Sequence, residues 1–184
     1  AEARARVGWQ HIEVDAGLSA MRRMRDVSLD LSSVGEGAGV DDLARALEAL
    51  GVQDYLVGVA GSLRSKGLRP DGESWRLAIE RPDGSGQVER LLTLRQGAIS
   101  TSGSYRNYFE RDGIRYSHTI DPASGRPITH KGVSATVISP AGDDDTLADA
   151  WATAFNVLGP DAGLALAEAR GLAVYYIERS GAGF

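Results

Sequence analysis

The sequence predicts an α+β fold, a mixed and largely antiparallel sheet with helices packed on it. Three observations carry that expectation. Short β-rich or alternating apolar runs recur along the chain, most of them joined by brief connections of Gly, Pro, Asp and Ser, which suits antiparallel neighbours. Helical periodicity is confined to 40–50, 144–158 and 161–170. The 184 residues, 42% of them hydrophobic, suffice for one domain over 1–184 with a real core and neither disulfides nor a structural metal.

In chain order, 7–14 (VGWQHIEV) reads as a strand, and 21–31 holds a second, with Val27, Leu29 and Leu31 facing one way. Residues 32–39 (SSVGEGAG) read as a glycine-rich turn. A helix follows over 40–50, because Val40, Leu43, Leu47 and Leu50 recur at i, i+3, i+7 and i+10 and Gly51 stands where a glycine ends a helix. Residues 55–60 (YLVGVA) form a short buried strand that passes through Gly61 and Ser62 and leaves by 64–67. Strands follow at 75–80, after a Pro70-Asp71-Gly72 turn, at 88–94 and at 98–102. Residues 107–120 read as a hairpin about Arg111-Asp112-Gly113. The chain ends with a strand at 133–139, helices at 144–158 and 161–170, the second stopped by Gly171, and a strand at 172–179.

Composition excludes several functions. Twenty basic against 25 acidic side chains give a net charge of −5 with no basic stripe, so no nucleic-acid partner is expected. The absence of cysteine removes disulfides, thiol nucleophiles and thiolate metal sites. No apolar run reaches the ~20 residues of a membrane span, and the first ten residues lack a signal-peptide core. Glycine, at 23 of 184 residues, exceeds the ~7% average and indicates tight turns or backbone lying close to a ligand.

Two constellations carry candidate chemistry. Residues 118–127 (HTIDPASGRP) form a stiff loop that presents His118, Asp121 and Arg126. It serves either proton transfer and phosphate orientation, or only as a well-made turn in which Asp121 caps its own loop. In 144–154, Asp145, Asp149 and Thr153 recur at i, i+4 and i+8, opposite an apolar face of Leu147, Trp151, Ala154, Phe155 and Leu158. Asp and Thr one turn apart offer hard oxygen ligands suited to Mg²⁺, while the plainer alternative is a solvated polar face. The acidic run Asp143, Asp144 and Asp145 suits the positive end of that helix. His11 and His130 have no partner pattern and read as structural or exposed.

Taken together and in order, the segments at 29–41 (LDLSSVGEGAGVD), 55–67 (YLVGVAGSLRSKG), 100–109 (STSGSYRNYF), 118–127 and 147–159 (LADAWATAFNVLG) resemble the ApbE family of FAD:protein FMN transferases. The resemblance spans most of the chain, and HTIDPASGRP and ADAWATA are its specific parts. It implies a Mg²⁺-dependent enzyme that cleaves the pyrophosphate of FAD and transfers FMN to a threonine of an acceptor protein. That reaction is usually placed in the periplasm or cell envelope, and some members instead hydrolyse FAD to AMP and FMN.

The same resemblance implies roles for single residues. Asp149, Thr153 and the backbone carbonyl of Ser33 match the metal ligands. His118 matches the histidine at the flavin site, and Ser102 and Gly103 line that site. Glu36 and Asp121 complete the expected FAD contacts, and His118 or Asp149 is placed to act as base. The chain departs from the family pattern at Glu36, where Lys is usual, and at Ala60-Gly61-Ser62, where Gly-Gly-Asp is usual. It also begins partway through the pattern. Weak FAD binding and slow turnover are expected on those grounds, with a flavin-binding or scaffold module lacking turnover as the alternative. No acceptor pattern occurs, so self-flavinylation is not expected.

Overall fold

The computed structural model describes residues 5–139 and 144–180, apart from the side chains of residues 114 and 115. Asp143 of the acidic run lies outside them. The chain divides into two compact units, Ala1–Leu31 and Ser32–Phe184.

In the first unit a 3₁₀ turn, Trp9–His11, leads into strand β1 (Ile12–Asp15), which pairs antiparallel with β2 (Ala20–Arg23). Asp15 Oδ1 accepts the Leu18 amide at 3.0 Å and closes the connection. Both strands are shorter than the periodicity suggests. Residues 27–31 are not in a strand, and Val27 is buried while Leu29 and Leu31 are exposed, so these three do not share a face. Alternation alone does not make a strand when the backbone has no ladder partner.

The second unit opens with helix α1 (Gly35–Ala49), then β3 (Tyr55–Val59), β4 (Ser62–Lys66), β5 (Trp75–Glu80), β6 (Val88–Leu94), β7 (Gly97–Gly103), β8 (Tyr108–Arg111) and β9 (Ile114–Ser117). The short β10 (Ile120–Asp121) and β11 (Arg126–Pro127) follow, then β12 (Gly132–Ser139), helix α2 (Asp145–Arg170) and β13 (Ala173–Glu178). The central sheet runs β13-β12-β7-β4-β3 with every neighbouring pair antiparallel. This is the expected α+β class. On one face Ala98, Ala135 and Val137 pack against Ala148, Ala152 and Phe155 of α2. On the other, Leu77 and Ile79 of the β5–β6 hairpin meet Ile99 and Ile177.

Strand β4 is the element the periodicity misses. Its segment SLRSK looks like a loop, yet Ser62, Arg64 and Ser65 are buried in the middle of the sheet. Ser62 and Arg64 share the helix-facing side, where polar partners stand in for an apolar core.

Helix α2 is broken at Gly159 (φ 76°, ψ 172°) just before Pro160, so the two expected helices run on from one another across a kink. Pro160 has no N–H to give to the Asn156 carbonyl. His130 Nε2 donates to that carbonyl at 2.9 Å instead, and Tyr176 donates to the carbonyls of Phe155 (2.8 Å) and Gly159 (3.2 Å). His130 Nδ1 accepts the Gly132 amide at 3.2 Å, which puts the ring proton on Nε2. His130→Ala is expected to cost about 1–2 kcal/mol, read from the urea midpoint, because it strands a carbonyl at the break. An unchanged midpoint would show that water replaces the imidazole without loss.

Candidate functional site

The first turns of α2 bury the face expected to be solvated. Asp145 is 0% and Asp149 7% exposed, whereas Leu147 of the expected apolar face is 51% exposed and Leu158 is also exposed. The carboxylates turn inward because the sheet beneath them is polar, with Ser62, Arg64 and Ser100 all buried on that side. The Ser62 and Ser100 hydroxyls bond each other at 2.7 Å, and Ser100 Oγ reaches Asp149 Oδ1 at 3.4 Å.

The two helices cap one another. Asp149 Oδ2 accepts the amide of Gly37, in the first turn of α1, at 3.0 Å. In return, Asp41 of α1 accepts the amides of Asp145 (3.0 Å) and Thr146 (2.9 Å) and the Thr146 hydroxyl (2.6 Å) at the start of α2. Each carboxylate thereby satisfies orphan donors at the positive end of the opposite helix. Arg64 Nη1 donates to Asp41 Oδ1 at 2.9 Å, forming a buried ion pair. Asp144 caps its own helix by accepting the Leu147 amide at 2.7 Å. Helix α1 starts five residues earlier than its leucine spacing indicates, inside the glycine-rich stretch, where Asp149, 112 positions away, accepts the Gly37 amide.

Electrostatics divide the carboxyls. Burial pushes Asp41 up, but the Thr146 hydroxyl, the Thr146 and Asp145 amides and Arg64 together hold it below its ordinary value. Burial, with the Asp41 and Asp149 charges added, pushes Asp145 up to about 8. Both Asp145 oxygens are buried with no hydrogen-bond partner among the described residues.

The other anticipated residues fall as follows. Ser33 is half-buried in the turn at 32–34 that feeds α1. Thr153 lies one turn beyond Asp149 and is half-buried. Among the described residues no three His, Asp or Glu side chains are grouped to hold a metal, so a cation here would need hydroxyl and carbonyl donors as well. Ser102 lies opposite Ala135 and shares the face of Ser100. A Cβ on Gly103 would come within 3.0 Å of the Ser134 Cβ and of the Tyr105 ring.

His118 is exposed, and its Nδ1 and backbone amide both point at the Asn107 carbonyl, at 2.7 and 3.3 Å. A carbonyl only accepts, so Nδ1 is the donor, and in the neutral ring Nε2 is the nitrogen left as acceptor. Asp121 caps its own loop, accepting the amides of Ala123 (2.9 Å) and Ser124 (3.1 Å). The loop reaches α2 where Asn156 Nδ2 donates to Thr119 Oγ1 at 3.2 Å. Asn156 is seven residues past Asp149, about 10 Å along the helix.

Glu36 is not adrift in solvent. Its Oε2 accepts the Gly61 amide at 2.9 Å, which ties α1 to the β3–β4 turn. Asp41, Arg64, Ser100 and Asn156 escaped the sequence reading. The spacing of Gly37, Val40, Asp41 and Ala44, all buried, is the signal that marks Asp41 as inward-facing.

The family model for ApbE matches residues 1–176. The chain belongs to the ApbE family. It is 46% identical over 188 residues to the FAD:protein FMN transferase of Klebsiella pneumoniae, an overlap covering all of this chain and 53% of that one. The apo crystal structure of the flavinyl transferase ApbE from Pseudomonas stutzeri superposes with a TM-score of 0.86 at 45% identity, over 100% of this chain and 55% of the other. The flavin transferase ApbE from Vibrio cholerae gives 0.84 at 37% identity, over 98% and 56%. This ApbE chain thus spans about half the length of the curated relatives it matches. No helix among its described residues is long and apolar enough to cross a membrane.

Proposed function

We propose that this ApbE chain carries the metal-holding part of an FAD:protein FMN transferase, acting on an acceptor protein of the cell envelope. The observation that supports the reading most is the inward turn of the α2 face bearing Asp149 and Thr153, in a chain whose curated relatives bear that name. The donors suit Mg²⁺. Asp149 Oδ1 is only loosely engaged by Ser100, Thr153 adds a hydroxyl one turn away, and the Ser33 carbonyl belongs to the turn that leads into Gly37, the partner of Asp149. Bound there, Mg²⁺ would neutralise pyrophosphate oxygens as the phosphoryl group transfers.

The chain's own residues do the rest. In the proposed step a threonine oxygen of the acceptor bonds to the FMN phosphorus, the bond to the AMP oxygen breaks, and AMP leaves. The hydroxyl proton goes to His118 Nε2, left open because Nδ1 is held on Asn107. Ser102 and Gly103 line the flavin side. Asp121 shapes the loop from within through its own backbone, and Glu36 places a negative charge where a cation would favour FAD.

The test is to incubate the chain with FAD, Mg²⁺ and an acceptor domain, and to read covalent flavin fluorescence and released AMP. Slow formation of both is expected. AMP without covalent flavin would identify a pyrophosphatase instead, and neither product would leave a binding module. Asp149→Asn keeps an acceptor for Gly37 but removes the charge, and Mg²⁺ binding in the presence of FAD is expected to weaken at least about tenfold. Equal Mg²⁺ binding by the two proteins would sink the metal assignment.

A further inference from the structure

Asn156 is 1% exposed and lies one turn beyond Thr153 on the buried face of α2. Its Oδ1 is buried without a hydrogen-bond partner among the described residues. An orphaned amide oxygen costs stability, and a leucine of similar size would avoid that cost. What the amide does make is the bond from Nδ2 to Thr119 Oγ1 at 3.2 Å.

Thr119 belongs to a stiff loop. Its carbonyl accepts the Ile128 amide at 3.1 Å and its amide donates to Ser117 Oγ at 3.0 Å. His118 beside it is held on the Asn107 carbonyl, and Asp121 closes the turn beyond. The other end of the link is equally fixed. The Asn156 carbonyl, deprived of a donor by Pro160, is held by His130 Nε2 at 2.9 Å. The Asn156–Thr119 hydrogen bond therefore joins two fixed bodies, the helix bearing Asp149 and Thr153 and the loop bearing His118.

We propose that Asn156 is a positioning residue, which sets the His118 loop at a fixed distance from Asp149 and Thr153 through its bond to Thr119. The consequence for FAD binding rests on the function proposed above, whereas the link itself does not.

The test compares Asn156→Leu, Thr119→Val, Thr119→Ser and the Asn156→Leu/Thr119→Val double variant in the whole chain. The melting temperature of Asn156→Leu should stay within a few degrees of the parent, since relief of the orphaned oxygen offsets the lost bond. Amide exchange at His118 and Ile128 should speed up about tenfold or more in Asn156→Leu and in Thr119→Val, and no further in the double variant. The His118 ring nitrogen signals should shift in both, while Thr119→Ser, which keeps the hydroxyl, retains the parent pattern. Affinity for FAD with Mg²⁺ should fall about tenfold in the first two and hold in Thr119→Ser.

Unchanged His118 signals and exchange in Asn156→Leu and Thr119→Val would overturn the proposal. So would faster exchange spread evenly through α2 and the central sheet, the mark of a merely structural role. If Asn156→Leu does not fold, the Thr119→Val and Thr119→Ser pair decides alone. Failure of the parent chain to bind FAD would count against the proposed function, while the exchange and ring signals would still decide the role of Asn156.

Discussion

Replacing Gly37 by alanine is expected to destabilise the protein by about 3 kcal/mol or more, at the upper end of what overpacking costs. The added Cβ would lie 2.7 Å from the Asp145 carbonyl carbon and 2.7 Å from the Thr146 Cα. Both are backbone atoms at the start of α2, so no side chain can swing aside. Relief requires the helices to separate. That breaks the Gly37–Asp149 bond and pulls Asp41 away from the Asp145 and Thr146 amides. Helix propensity acts in the opposite direction, because alanine is favoured over glycine by about 1 kcal/mol in a helix interior. Gly35 supplies the control, since a Cβ there meets nothing within 4 Å. Gly35→Ala should be neutral or slightly stabilising in urea denaturation, and Mg²⁺ binding in the presence of FAD should survive it but not Gly37→Ala. Equal midpoints for Gly37→Ala and the parent would refute the close approach.

The pH dependence of stability should carry the signature of Asp145. Its carboxyl sits at about 8 in the folded protein against an ordinary 3.8. Across that window the folded state keeps a proton that the unfolded chain has released, so stability falls as pH rises. The slope from this one group is at most about 1.4 kcal/mol per pH unit, and its stabilising effect is full below the ordinary value and gone above about pH 8. Asp41 acts with the opposite sign. Its carboxyl is held low, so its contribution is present above the ordinary value of 3.8 and is lost only as pH falls through its lowered value. The two effects occupy different windows. Asp145→Asn mimics the protonated acid, so it should match the parent only below the ordinary value of 3.8, pull ahead as pH rises past it, and exceed the parent by several kcal/mol near pH 9. Urea midpoints of both proteins between pH 4.5 and 9 in EDTA provide the measurement, and the other titrating groups cancel in the difference. Parallel profiles for the two proteins would rule out the buried acid.

Features built from neighbouring residues were readable in the sequence itself. Asp112 and Gly113 adopt positive φ (54° and 73°) and turn the β8–β9 hairpin, because that turn depends on the two residues in it. Asp121 caps the loop at 121–125 because its acceptors and the amides it binds are adjacent. The Asp149–Thr153 pair follows from the helical period, and the break between the helices follows from Gly159 and Pro160.

The direction in which those groups face was decided elsewhere. Hydropathy turns Asp145 and Asp149 toward water, and they turn inward only because β4 and β7 bring Ser62, Arg64 and Ser100 beneath them. Strand β4 was unreadable for the same reason, since its buried side chains are matched to carboxylates far along the chain rather than to an apolar core. Glu36 acquires a partner only when the β3–β4 turn delivers the Gly61 amide. Helix α1 begins where Asp149, 112 residues away, meets the Gly37 amide. A local pattern reports what a residue prefers next to its sequence neighbours. A buried polar group is stable only if its partners are present, and in this ApbE chain those partners come from distant segments that the fold alone assembles.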